Sequence, residues 1–155
     1  MSYSADHSGK AEEGELNRIL KQEMFLYLLD LEVKRARRYQ DFFCVLVLKL
    51  NRLPSHDNGK GQQTCYQTLT NLLTGELRDS DILGSLGETG LAALLPYADS
   101  SAGDIAKSRF EGNLKYCDFE SEGYEVMVDQ VCFPVDGTDI RDLMKKVVGN
   151  TPTNA

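Results

Sequence analysis

Apolar and polar positions recur with two different periods along this chain, and the changes of period mark its elements. From about Glu15 to Tyr39, Leu16, Ile19, Leu20, Met24, Tyr27, Leu28 and Leu31 return at three- and four-residue steps, which predicts an amphipathic helix. Phe42 to Leu50 is a nearly unbroken apolar run interrupted by Lys49. Its length and its β-branched and aromatic content predict a strand buried on both faces. Residues 51–62 carry Asn, Pro, Ser and Gly in close succession and read as a loop. Tyr66, Leu69, Leu73 and Leu77 predict a second helix from about Gln63 to Leu77.

Two short apolar runs follow, joined by Gly87-Glu88-Thr89-Gly90. This is the pattern of a β-hairpin, in which either glycine can supply a positive φ. Pro96 ends the second run, because it has no N–H for a ladder. Ala102, Ile105, Ala106, Phe110 and Leu114 mark a third helix, and Tyr124 to Phe133 a further strand. After a turn at 134–137, Ile140, Leu143, Met144, Val147 and Val148 predict a last short helix, capped by Thr138 or Asp139. The resulting order contains a β-α-β-β-α-β unit, a ferredoxin-like α+β arrangement preceded by an N-terminal helix. One domain is expected over residues 15–148. Residues 1–14 are expected to be disordered and 149–155 to be a flexible tail.

The overall composition narrows the function. The chain has 155 residues with a net charge of −7, which argues against nucleic-acid or anionic-membrane surfaces. No apolar run is long enough to span a bilayer, and the first residues do not have the form of a signal peptide. A cytoplasmic location is expected. Cys44, Cys65, Cys117 and Cys132 have no metal-site spacing and read as buried free thiols. With two histidines in the chain, neither a histidine zinc site nor a Ser-His-Asp triad is expected.

Asp81, Gly87 and Leu94-Leu95-Pro96 together resemble the central hairpin of the GGDEF, or diguanylate cyclase, family. There an Asp stands six residues before the first Gly of the signature, and the next strand ends in Leu-Pro. Glu32-Val33-Lys34-Arg35-Ala36-Arg37 resembles the end of the family's first helix, and Phe133-Pro134-Val135-Asp136-Gly137 its strand-end Pro-x-Asp-Gly. The resemblance covers about residues 25–147 and implies the nucleotide-cyclase type of α+β sandwich.

The same resemblance implies that catalysis is lost. A cyclase of this kind joins two GTP molecules and needs carboxylates to hold divalent metal against the triphosphate. Where the family has Asp-Ile-Asp-x-Phe, this chain has Lys49-Leu50-Asn51-Arg52-Leu53, so a metal ligand is replaced by a cation. Where the family has its five-residue signature, this chain has Gly87-Glu88-Thr89-Gly90-Leu91. Asp57-Asn58-Gly59-Lys60-Gly61-Gln62 stands in for the guanine-reading loop, and the family's C-terminal Ala-Lys segment lies beyond Ala155. No enzymatic activity, metal or cofactor is expected. Glu88 reads as a turn residue.

A second site of the family, the inhibitory site for cyclic di-GMP, matches better. Its Arg-x-x-Asp falls on Arg78-Asp79-Ser80-Asp81, and its helix arginine on Arg109, thirteen residues after Pro96. An arginine fork suits the O6/N7 edge of guanine, a carboxylate suits its N1–H and N2–H donors, and a second guanidinium suits phosphate. The alternatives are plainer. Arg78 at a helix C-terminus also favours the helix dipole, and an Arg three residues before an Asp also makes a surface ion pair. The resemblance therefore implies a catalytically inactive signalling domain that receives cyclic di-GMP through Arg78, Asp81 and Arg109. The alternative is a dimerisation or protein-interaction scaffold that binds no nucleotide, with the N-terminal helix offered to a second chain or a partner. A third reading is GTP binding without turnover.

Overall fold

A computed structural model describes residues 19–54 and 61–149 of the chain. Its strands are β1 (Ile19–Leu20), β2 (Phe43–Arg52), β3 (Ile82–Ser85), β4 (Gly90–Pro96) and β5 (Tyr124–Phe133). Its helices are α1 (Gln22–Tyr39), α2 (Gln62–Glu76), α3 (Ser100–Leu114) and α4 (Ile140–Val147), with one 3₁₀ turn at Glu120–Glu122. The five strands form one mixed sheet in the order β1-β3-β4-β2-β5. β2 lies between β4 and β5 and is antiparallel to both.

The long apolar run of β2 is explained by its central place. Phe43, Val45 and Val47 face α1 and α4, where they meet Phe25, Leu29, Val33, Leu143 and Val147. Leu46, Leu48 and Leu50 face α2 and α3, where they meet Leu69, Leu73 and Phe110. Side chains alternate faces along a strand, so covering both faces requires apolar residues at every position. Full burial of each such Leu, Val or Phe contributes roughly 1.5–3 kcal/mol. Two pairs of helices thus sandwich the sheet, as the βαββαβ reading predicts.

Close approach of α1 to the sheet depends on Gly84. A methyl group built there would stand 2.4 Å from Cγ of Phe25, so the Phe25 ring fills the place of a β3 side chain. In the hairpin turn, Gly87 takes φ +80°, while the expected alternative at Gly90 is not used.

Two expectations are corrected. Ile19 and Leu20 do not continue the first helix. They form β1, paired in parallel with Leu83 and Gly84 of β3, and α1 begins after an extended Lys21. The outer edge of β3 supplies unpaired backbone groups for them, and Ile19 and Leu20 pack on opposite faces of the sheet. Cys44 and Cys132 are not separate thiols. They face each other across β2 and β5 with Cα atoms 4.1 Å apart and are joined as a disulfide. A separation of 88 residues hides a pairing that the strand register creates. Cys65 and Cys117 are free.

The remaining elements follow the expected pattern with small shifts. β2 runs on through Asn51 and Arg52, and α2 starts at Gln62. Asp139, rather than Thr138, caps α4 by accepting from the Arg141 N–H at 3.0 Å. The expected disorder of 1–14, the helix start at Glu15 and Leu16, and most of the tail lie outside the described residues, as do residues 55–60 of the loop. No described helix is long and apolar enough to cross a membrane.

Candidate functional site

The three residues singled out as a ligand site come together. A cavity of about 390 Å³ opens between the end of α2, the turn that follows it, the end of β4 and the stretch Ala102–Phe110 of α3. Arg78, Asp81 and Arg109 all line it. Its floor is apolar, built from Leu46, Leu73, Leu95 and Phe110, which belong to the core on that face of the sheet. The site therefore combines an apolar base with a few charged groups, the usual form of a small-molecule pocket.

Local structure positions each charged group. Leu77 leaves the helical conformation, and residues 78–81 turn the chain into β3. Oδ2 of Asp81 accepts from the Arg78 N–H at 2.8 Å, and the Asp81 N–H donates to the Arg78 carbonyl at 3.0 Å. Asp81 thus fixes the turn that holds Arg78. The Arg-x-x-Asp spacing is the spacing of this turn, so the motif has a structural role whatever binds to it.

Arg109 is held from α3. The helix is capped by Asp99, whose Oδ1 accepts from the Ala102 N–H at 2.8 Å. Nε of Arg109 donates to Glu76 Oε1 at 2.7 Å, and Nδ2 of Asn113 donates to Glu76 Oε2 at 2.6 Å. One carboxylate thereby ties α2 to α3 across the cavity. The ion pair uses Nε, which leaves the terminal nitrogens of Arg109 for another acceptor. Glu76 was not legible as a site residue, because no spacing rule connects it to Arg109, 33 positions later.

The mouth of the cavity carries Tyr97, which the sequence reading did not single out. Arg35 of α1 lies over its ring, 4.7 Å from the centroid. Arg35 in turn makes two bonds to Glu32, at 2.7 and 3.0 Å, and one to Asp41 at 3.1 Å. The hydrogen bonds to Glu32, opposed by partial desolvation and aided by Asp41, hold the guanidinium well above its ordinary pKa.

The opposite end of the hairpin is where the resemblance places catalysis. Lys49 stands across from Gly90 in the β2–β4 ladder and is half-buried. Desolvation pushes its pKa down, with Asp129 on β5 acting the other way. The Leu50 N–H donates to the Thr89 carbonyl at 2.8 Å, which ties the turn to the end of β2. The Tyr66 hydroxyl stands 3.2 Å from Ser85 Oγ and 3.3 Å from the Gly90 carbonyl, as donor to one of them. Glu88 is exposed and accepts from Gln62 Nε2 at 3.5 Å, a weak contact. Among the described residues no three His, Cys, Asp or Glu side chains gather as a metal-holding set.

This sheet order, its two helical layers and the hairpin between β3 and β4 define an α+β sandwich of the nucleotide-cyclase type. Solved structures place it further, in the fold of GGDEF domains. A DGC protein from Thermotoga maritima is similar at a TM-score of 0.71 and 16% identity, over 86% of this chain and 98% of that one. The active GGEEF domain of a diguanylate cyclase from Vibrio cholerae is similar at 0.65 and 13%, over 83% and 86%. The GGDEF domain of DgcB from Caulobacter crescentus, solved in complex with c-di-GMP, is similar at 0.61 and 13%, over 83% and 81%. No family model and no curated protein matches the sequence.

Proposed function

We propose that this chain is a signalling domain of the GGDEF fold that has lost cyclase activity and receives cyclic di-GMP at the cavity of Arg78, Asp81 and Arg109. The observation that carries the reading is the convergence of these three side chains, from two segments more than twenty residues apart, on one cavity with an apolar floor. A guanine plane fits the floor, Arg78 meets its O6/N7 edge, Asp81 Oδ1 meets its N–H donors, and Arg109 meets phosphate. One structural neighbour was solved in complex with this ligand.

Loss of turnover follows from the other end of the hairpin. Two GTP triphosphates need divalent metal, and metal needs carboxylates. Lys49 and Asn51 stand at the strand end where the resemblance expects those ligands, and Thr89 and Gly90 stand in the turn. A lysine there repels a metal instead of holding it. A ligand made from GTP also implies a cytoplasmic protein.

Calorimetric titration tests the reading. Cyclic di-GMP should release or take up heat on binding the wild type, and Arg78→Ala should abolish that signal. Silence from the wild type at ligand in the high micromolar range sinks the receptor reading, and nucleotide synthesis from GTP sinks the inactive one.

A second reading has its own support. Met24, Tyr27 and Leu31 recur along α1 at helical spacing and are 50%, 59% and 42% exposed. Such a stripe suits a second chain or a protein partner. Sedimentation of the wild type beside Tyr27→Glu separates a dimer, which the charge should dissociate, from a monomer.

A further inference from the structure

Tyr97 adopts φ +62°, and the other described non-glycine residue with positive φ is Gln40. Gln40 has an evident reason, since it is the left-handed cap that closes α1. Tyr97 closes no helix. It follows Pro96 at the end of β4, and its N–H donates to the Phe42 carbonyl at 3.2 Å. A bulky side chain in the left-handed region costs free energy that its surroundings must offset, and such residues gather at ligand clamps. Here the conformation turns a large ring outward. Tyr97 is 64% exposed and lines the cavity beside Arg78, Asp81 and Arg109.

The ring is nevertheless held. Arg35 covers it, and Glu32 and Asp41 fix Arg35 in turn. An exposed aromatic surface at the rim of a charged cavity, oriented from behind by an anchored cation, is a stacking platform in wait of a flat ligand. We propose that Tyr97 stacks on one guanine base of the bound cyclic dinucleotide, with Arg35 as the positioning residue behind the ring. This rests on the receptor reading above and extends it. Stacking is indifferent to base identity, because every base has a π face. Tyr97 thus supplies affinity, while Arg78 and Asp81 read the guanine edge.

The test is calorimetric titration of cyclic di-GMP into the wild type, Tyr97→Gly, Tyr97→Phe and Arg78→Ala. Tyr97→Gly removes the ring and relieves the positive φ together, so it should unfold at the same temperature as the wild type or higher. It should still bind at least about tenfold more weakly. Tyr97→Phe keeps the π face and should bind within about twofold of the wild type. Arg35→Gln should weaken binding in the wild type and have no further effect in the Tyr97→Gly background. Tyr97→Gly binding as tightly as the wild type, with Arg78→Ala silent, overturns the stacking role and leaves the receptor. A silent wild type overturns both.

Discussion

Glu76 and Arg109 form an ion pair across the cavity, Oε1 to Nε at 2.7 Å, with side chains 26% and 53% exposed. The carboxylate orients the arginine and at the same time places a negative charge where a phosphate is proposed to bind. Glu76→Gln keeps one acceptor oxygen, for Arg109, turns an amide nitrogen toward Asn113, whose own amide can flip to accept from it, and removes that charge. Cyclic di-GMP should bind several-fold more tightly to this variant, with a steeper dependence on salt. Stability should change by about 1 kcal/mol or less, since the pair is partly solvated. Titration at two ionic strengths and a urea midpoint read both effects.

Gly84 lies under the Phe25 ring with no room for a methyl group. Gly84→Ala should cost about 1–3 kcal/mol in chemical denaturation through overpacking. Gly84→Ala with Phe25→Leu should recover part of that loss, because the shorter side chain vacates the space. Gly87→Ala meets nothing within 4 Å and should lose stability only through its φ of +80°. Equal losses at the two glycines, with no rescue at Gly84, would count against this packing account.

Asp99 caps the helix that carries Arg109. Asp99→Ala should lower stability by about 1 kcal/mol. Asp99→Ser, which retains an oxygen for the Ala102 N–H, should restore most of it. Denaturant midpoints of the two variants decide this, and a full loss in both would place the effect elsewhere.

Lys49 is charged and partly desolvated in the strand end, so its folded pKa lies below the ordinary 10.5. Between the folded value and the ordinary one the unfolded chain binds more protons, so stability rises with pH across that window. Below the window the buried charge is a standing penalty. Lys49→Met should therefore be more stable than the wild type at neutral pH, and the gap should narrow as the pH approaches 10.5. Denaturant midpoints measured from neutral to alkaline pH give the slope. A pH-independent gap would assign the gain to packing alone.

Most of the elements were legible because burial imposes a period. β2 was found from an apolar run that only a strand covered on both faces requires, and α2 and α3 from one-sided stripes. β1 was misread because Ile19 and Leu20 satisfy helical spacing as well as strand pairing, and the choice was made by the free edge of β3, more than sixty residues away. The site was half legible. The Arg78–Asp81 turn is local, so its spacing shows in the sequence. Glu76 and Tyr97 enter the same cavity by packing of α2 against α3 and by the turn after β4, and neither leaves a local signal.

The helices and strands other than β1, their α+β order, and the places of Lys49, Asn51, Thr89 and Gly90 are legible in the amino-acid sequence. These are properties of residue type and short-range period. Tertiary packing alone brings Cys44 to Cys132, Glu76 to Arg109 and Arg35 behind Tyr97. Each of these pairs residues far apart in the chain, and strand register and helix docking, which the whole core sets together, bring them into contact.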